Sequence, residues 1–89
     1  MSRWIEVYLT EEDNTVLINL DSINYMKISE NTMDNDYCVQ LKIGDEDYFI
    51  GCTSELDAQM TYAKIKKYLT WNKSNVSELE EFLKDREIQ

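Results

Sequence analysis

The spacing of apolar residues changes at Cys52, and this change restricts the fold more than any other feature of the chain. Before Cys52, apolar and polar residues alternate in short runs, and the run from Tyr37 to Ile43 is the most regular. After Cys52, apolar residues recur at helical spacing. A period of two predicts strands and a period near 3.6 predicts helices. The sequence therefore predicts a single α+β domain over residues 1–89, with strands first and helices second.

The strand region, residues 4–52, contains five apolar runs separated by polar turns. Consecutive runs joined by short turns predict an antiparallel β-meander. Their expected positions are residues 4–9, 16–20, 25–28, 37–43 and 48–52. For the last hairpin we expect Ile43 to face Tyr48, which also places Leu41 opposite Ile50 and Val39 opposite Cys52, because apolar residues then meet across one face. This register puts Cys38 and Cys52 on opposite faces, so we expect free thiols.

Two C-terminal helices are predicted, at about residues 54–70 and 77–86. Ser54 with Asp57, and Ser77 with Glu80, have the spacing of capping boxes. The apolar stripe of the first helix contains Ala58, Tyr62, Ile65 and Leu69, and that of the second contains Val76, Leu79 and Leu83. We expect the first helix to cover one face of the sheet. Trp71 lies outside the stripe, either as a cap on the core or as an exposed contact residue.

Polar residues interrupt the segment "VLINLDSINYM", residues 16–26, between two strand signals. The interrupting residues are Asn19, Asp21, Ser22 and Asn24. These residue types bond to their own backbone in turns, so we interpret the segment as a turn. The alternative is an ion site made of carboxylates and amides, which lacks further converging carboxylates.

The residues that enzymes most often use for catalysis are scarce in this chain. It has no histidine and two cysteines, which excludes imidazole catalysis and gives no zinc-type spacing. No glycine-rich loop could hold a phosphate. Asp45, Glu46 and Asp47 are adjacent, but we expect them on an exposed hairpin tip without the apolar wall that raises a carboxyl pKa. The sequence therefore predicts a protein that is not an enzyme and has no cofactor and no metal.

Negative charge is concentrated in the N-terminal part of the chain. The net charge is −9, and residues 1–57 hold thirteen acidic and three basic residues. Such a field repels nucleic acids and anionic membranes and attracts basic protein surfaces. Alternate connections of a simple meander emerge at the same end, so the turn after the first strand and the loop after the third should lie together. The predicted partner-binding residues are Glu11, Glu12, Asp13, Glu30, Asp34 and Asp36; the alternative is that these are ordinary solvated turns.

The order "WIEVYLT…VLINLDSINYM…YCVQLKIGDEDYFIGCTSELDA" resembles the FlbD/SwrD family of small flagellar and swarming-motility proteins. The similarity covers roughly residues 4–69, with "NLDSI" at the bend before an Ile and "CTSELDA" at the start of the helix. This chain adds a second helix and a stronger acidic balance. The resemblance implies an accessory or regulatory binding role and carries over no functional residue.

In size and charge the chain is also similar to small acidic phage proteins, among them anti-CRISPR proteins, which occupy basic nucleic-acid grooves of host enzymes. We therefore expect an inhibitor that acts in the cytoplasm by covering a basic nucleic-acid-binding surface of a host protein, without contacting nucleic acid or membrane itself. A FlbD/SwrD-like motility regulator and a homo-oligomeric structural module, such as a homodimer, are the alternatives.

Overall fold

The computed structural model describes residues 3–31, 36–71 and 75–89. Its elements are β1 (Trp4–Leu9), β2 (Asn14–Asn19), β3 (Ile23–Asn31), β4 (Asp36–Ile43), β5 (Glu46–Cys52), α1 (Glu55–Thr70) and α2 (Ser77–Leu83). A short 3₁₀ turn, Leu20–Ser22, connects β2 to β3. The predicted α+β class, with five antiparallel strands followed by two helices, is confirmed.

The strands form two antiparallel sheets, one of β1 and β2 and one of β3, β4 and β5. The 3₁₀ turn separates β2 from β3, because the Asn19 side chain accepts the backbone N–H of Asp21 at 3.0 Å and closes a turn there. The interpretation of residues 16–26 as a turn is thus confirmed. It is also the point at which the chain passes from one sheet to the other.

The C-terminal residues 87–89 join the two sheets, which the sequence did not predict. Ile88 forms a parallel bridge to Leu9 and an antiparallel bridge to Ile50. The backbone N–H of Thr10 donates to the Ile88 carbonyl at 2.9 Å, and the N–H of Gly51 donates to the Glu87 carbonyl at 2.7 Å. This segment therefore acts as a short strand between β1 and β5.

The inward faces of the strands follow the predicted alternation. In β1 the exposed fractions of Ile5, Val7 and Leu9 are 1%, 4% and 6%, while the residues between them are exposed. They pack with Val39, Leu41 and Ile50 of the second sheet and with apolar residues of both helices. The two sheets and both helices therefore share one hydrophobic core.

The register predicted for the last hairpin is wrong by two residues. Ile43 pairs with Glu46, Leu41 with Tyr48 and Val39 with Ile50. Gly44 has a φ of 60°, which allows a two-residue turn where the prediction assumed a four-residue one. Since two residues is one full period of a strand, the same side chains still face the core. β3 also extends beyond the predicted residues 25–28, because β4 offers partners along its whole length.

Helix α1 packs on the three-stranded sheet, as predicted. Its start is also confirmed, because the Ser54 hydroxyl oxygen accepts the Asp57 N–H at 3.1 Å. The predicted stripe is only partly right. Ala58 and Ile65 are buried, but Thr61 and Tyr68 are buried with them, while Tyr62 and Leu69 are partly exposed. Thr61 tolerates burial since its hydroxyl donates to the Asp57 carbonyl at 2.8 Å.

Helix α2 packs on β1 and buries Leu79 and Leu83 as predicted, but it ends at Leu83 rather than near residue 86. The predicted Ser77–Glu80 capping box is wrong. The Ser77 N–H and hydroxyl both donate to the Asn75 side chain, at 3.1 and 2.6 Å. The Glu80 carboxylate instead accepts the backbone N–H of Glu6 in β1 at 2.7 Å. A partner distant in the chain therefore replaces the local one.

Candidate functional site: two acidic turns at one end of the fold

Three of the predicted partner-binding residues, Glu11, Glu12 and Asp13, form the exposed turn between β1 and β2. Asp13 has a φ of 49°, a left-handed conformation that Asp adopts more readily than most residues. The Tyr8 hydroxyl donates to the Asp13 carboxylate. This bond, followed by burial and the Asp13 charge, raises the pKa of Tyr8. The turn is thus held in shape while its carboxylates face solvent.

Two other predicted residues, Glu30 and Asp36, do not lie with this turn. Glu30 pairs with Tyr37 near the start of β4, and its charge is the largest cause of the raised pKa of Tyr37, followed by burial and Glu55. Asp36 begins β4 with its backbone opposite Asn31. Asp34 is outside the described residues. Glu30 and the start of β4 therefore lie beside Cys52, at the far end of β5 from the hairpin tip.

The turn between β1 and β2 lies instead toward the hairpin tip of β4 and β5. Ile88 pairs in parallel with Leu9 at the end of β1 and antiparallel with Ile50 of β5, so these two strands run in opposite directions and the turn that follows Leu9 extends toward the start of β5. The pKa of Tyr48 in β5 is raised by burial first, then by Glu46 and Glu12. For the described residues, the prediction that the first turn lies together with Glu30 and the start of β4 is therefore wrong, since it assumed an uninterrupted meander without the 87–89 segment.

The structure brings a different set of six carboxylates toward one end. We call them the acidic end, and they are Glu11, Glu12 and Asp13 from the first turn and Asp45, Glu46 and Asp47 from the hairpin tip. All six residues are exposed. The sequence offered no signal for this grouping, because it depends on where residues 87–89 insert.

The acidic end has little positive charge to balance it. Among the described residues its ion pair is that of Lys42 Nζ with Asp47 Oδ2, at 3.6 Å. The Gln40 amide also donates to the Asp47 carboxylate at 3.1 Å. The other carboxylates of the acidic end form no ion pair within the described ranges. Exposed carboxylates of this kind can attract Lys and Arg side chains of a partner, but without an apolar wall they are poorly suited to proton transfer.

A second feature is an open cleft of about 690 Å³ beside Cys52. Arg86 lies in it and donates to both carboxylate oxygens of Asp57, at 2.8 and 3.0 Å, with its guanidinium over the Phe82 ring at 4.7 Å. The bond from Arg86, followed by that from the Thr53 N–H, holds the pKa of Asp57 well below its usual range.

The thiol at this cleft is not activated. Burial is the largest cause of the raised pKa of Cys52, whose thiol also bonds with the Thr61 hydroxyl at 3.8 Å. A neutral thiol is a poor nucleophile. Both carboxylate oxygens of Asp57 already accept hydrogen bonds from Arg86. The ion pair in this cleft therefore connects α1 to the chain after α2 and serves the fold. Both cysteines are free, as predicted.

The structure also bears on Trp71, on metal binding and on membrane-spanning helices. Trp71 has an exposed fraction of 68%, so it does not cap the core. Across the described ranges, no group of three or more Cys, Asp or Glu side chains is arranged to hold a metal ion. None of the helices in that part of the chain is long and apolar enough to cross a membrane.

Comparisons with known proteins find no relative from which a role could be transferred. No family model matches the chain, and neither the curated proteins nor the solved structures give a significant match. The resemblance to the FlbD/SwrD family and the similarity to acidic phage proteins therefore stay predictions from the sequence.

Proposed function

We propose that this protein is a non-enzymatic inhibitor that binds, through its acidic end, the basic nucleic-acid-binding surface of another protein, as phage anti-CRISPR and other host-takeover proteins do. The observation that supports this proposal is the grouping of six exposed carboxylates from two turns, of which, among the described residues, Asp47 alone has an ion pair, with Lys42. The basic partner supplies the opposite charge that the acidic end lacks.

Charge complementarity explains how such an inhibitor would compete with nucleic acid. A nucleic-acid-binding groove presents Lys and Arg side chains to phosphates, and carboxylates attract the same side chains. The attraction of the acidic end for such side chains acts over roughly the Debye length, about 8 Å at physiological salt. Association should therefore be fast and strongly dependent on salt.

The first prediction concerns a fourfold charge reversal at the acidic end. Glu11→Lys, Glu12→Lys, Asp45→Lys and Glu46→Lys together change exposed side chains for which the structure gives no hydrogen bond or ion pair. Because steering acts on the on-rate, association with the partner should slow at least about tenfold at physiological salt. The partner is first captured from nuclease-treated bacterial lysate and purified, and its association is then followed by stopped-flow fluorescence.

A matched control variant distinguishes an effect of the acidic end on the association rate from an effect of net charge alone. Glu30→Lys, Glu81→Lys, Asp85→Lys and Glu87→Lys produce the same change in net charge at exposed positions elsewhere. This variant should associate within about threefold of the wild-type rate. Equal slowing by both variants, or an on-rate that salt does not change, would contradict the proposal. So would a captured partner that binds nucleic acid equally well when this protein is bound.

A further inference from the structure

Within the described parts of the chain, one face of the joined sheets carries no helix. The other face belongs to the same hydrophobic cluster as the buried residues of α1 and α2, so both helices lie on that side. Alternate residues of each strand point away from the core, and we call the surface that they form the helix-free face. Its exposed large apolar residues are Trp4, Tyr8, Leu17, Tyr25 and Phe49.

Three aromatic rings are spread across the helix-free face. Phe49 is two strands from Tyr25, across β4, and two strands from Tyr8, across residues 87–89. These positions are at least about 10 Å apart, farther than the roughly 4.5–7 Å between packed aromatic rings. The exposed fractions of Tyr25, Phe49 and Tyr8 are 44%, 36% and 48%. Each ring is therefore separately exposed at this surface.

The helix-free face is continuous with the acidic end. The Tyr8 hydroxyl donates to the Asp13 carboxylate. Asp47, another member of the acidic end, lies opposite Lys42 on the helix-free face, and Phe49 is two residues further along the same strand, about 7 Å away. A partner surface that meets both acidic turns therefore also faces these rings.

Carboxylates by themselves do not account for a stable complex. Exposed charges act mainly on the association rate, and each exposed ion pair contributes little affinity. Stable interfaces bury about 800 Å² on each partner, and much of their free energy comes from central aromatic and Arg residues. The helix-free face supplies such aromatic residues directly beside the acidic end.

We propose that the helix-free face is the centre of the partner interface, and that the rings of Tyr8 and Phe49 receive arginine side chains of the partner. This inference rests on the proposed function, because it takes the partner to be basic. A guanidinium lies flat on an aromatic face and is less strongly hydrated than an ammonium group. Tyr25 already has the Nζ of Lys27 at 5.8 Å from its ring centre, whereas within the described ranges no cation lies over Tyr8 or Phe49.

The carboxylates beside these rings select a cationic partner. A guanidinium that stacks on Tyr8 or Phe49 can also donate to Asp13 or Asp47, since its N–H groups lie in the plane of the stacked group. Bases of single-stranded nucleic acid also stack on exposed rings, but the net charge of −9 repels their phosphates. Arginine therefore fits both the rings and the charges around them.

Two peptides of equal length, oligo-arginine and oligo-lysine, test the whole chain by titration calorimetry. Oligo-arginine should bind at least about threefold more tightly, because Arg stacks on aromatic faces better than Lys. In two-dimensional NMR, oligo-arginine should shift the ring signals of Tyr8 and Phe49. The methyl signals of Leu56 and Met60, which are 65% and 59% exposed on α1, should stay in place.

A double variant, Tyr8→Leu with Phe49→Leu, removes both rings without changing the net charge. The preference for oligo-arginine should disappear, and dissociation from the purified partner should become at least about tenfold faster, while the association rate stays within about threefold of wild type. The matched control is Tyr8→Phe with Phe49→Tyr, which keeps both rings and should keep the preference and the dissociation rate. Circular dichroism checks that each variant is folded.

The inference and the proposed function fail on different measurements. Equal affinity of wild type for the two peptides, or an undiminished preference in the leucine variant, would overturn the inference. So would an unchanged dissociation rate from the partner, even where the fourfold charge reversal slows association. If that reversal leaves association unchanged while the leucine variant dissociates faster and loses the preference, the helix-free face stays supported and the proposed role of the acidic end is rejected.

Discussion

Asp57 connects a local helix start to a distant part of the chain. Its N–H donates to the Ser54 hydroxyl oxygen at 3.1 Å, and its carboxylate accepts the Thr53 N–H at 3.0 Å. The same carboxylate receives both bonds from Arg86, and the side chains of this pair are 22% and 19% exposed. A carboxylate with this many donors is held in its charged form, which makes the pair sensitive to acid.

The pH dependence of stability follows from the lowered pKa of Asp57. In the unfolded chain an Asp carboxyl has a pKa of about 3.9. The lower pKa of Asp57 in the folded state means that the folded protein binds a proton at this carboxyl more weakly than the unfolded chain does. The contribution of Asp57 is fully present above about pH 5 and is lost as the pH falls through the unfolded pKa toward the lower folded one. Asp57→Asn should lower the free energy of unfolding at neutral pH by about 2 kcal/mol.

Urea unfolding at several pH values checks this prediction. The difference in the free energy of unfolding between wild type and Asp57→Asn should become smaller between about pH 5 and pH 3, because the Asp57 carboxyl of the unfolded chain takes up a proton in this range. The control is Glu55→Gln, at an exposed residue of the same first turn of α1. This variant should lower the free energy of unfolding by under about 0.5 kcal/mol. A gap of constant size across this range would show that the charge of Asp57 is not what stabilises the fold.

At the scale of an element, the β4–β5 hairpin depends on one backbone conformation. Gly44 has a φ of 60°, and a Cβ atom added there would meet no heavy atom within 4 Å. Its amide also donates to the Asn24 side chain at 2.8 Å, which connects the turn to the start of β3. The cost of replacing Gly44 is therefore backbone strain alone, without a steric clash.

Gly44→Ala should lower the free energy of unfolding by about 1 kcal/mol, because L-residues are strained in the left-handed region. Gly44→Asn should cost less, since Asn tolerates this conformation. Thermal and urea unfolding of both variants measure the difference. An Ala variant as stable as the wild type would mean that the turn does not need the positive φ.

At the scale of the whole molecule, Ile88 holds two sheets in one core. It is 2% exposed and pairs with Leu9 of one sheet and Ile50 of the other. Helix α1 packs on the second sheet and α2 on β1, so the joined sheets also fix the relative placement of the helices. The acidic end depends on the same junction.

Ile88→Ala should lower the free energy of unfolding by about 3 kcal/mol, the usual cost of truncating a buried Ile. The matched control is Ile28→Ala at a residue that is 37% exposed on β3, which should cost about 1 kcal/mol or less. Urea unfolding followed by both fluorescence and circular dichroism measures the two values. Similar losses in the two variants would contradict the central position of Ile88.

The sequence by itself determined the features that depend on neighbouring residues. The strand predicted at residues 4–9 from its alternation is present as β1, with Ile5, Val7 and Leu9 buried and the residues between them exposed, because side chains on a strand alternate between two faces. The start of α1 at Ser54 was also predictable, since its capping partner Asp57 is three residues away. These are short-range effects, which a pattern in the sequence records directly.

Tertiary structure alone decided which distant groups meet. Ile88 is one apolar residue without a period, so nothing in the sequence marks it as the junction between two sheets. The Glu6 amide of β1 donates to the Glu80 carboxylate, so Glu80 does not bond back to Ser77, because a backbone N–H at the edge of a strand bonds to whichever acceptor the fold brings close. The grouping of the acidic residues followed the same rule. Their charges are visible in the sequence, but the strand directions set by residues 87–89 decide which turns lie together.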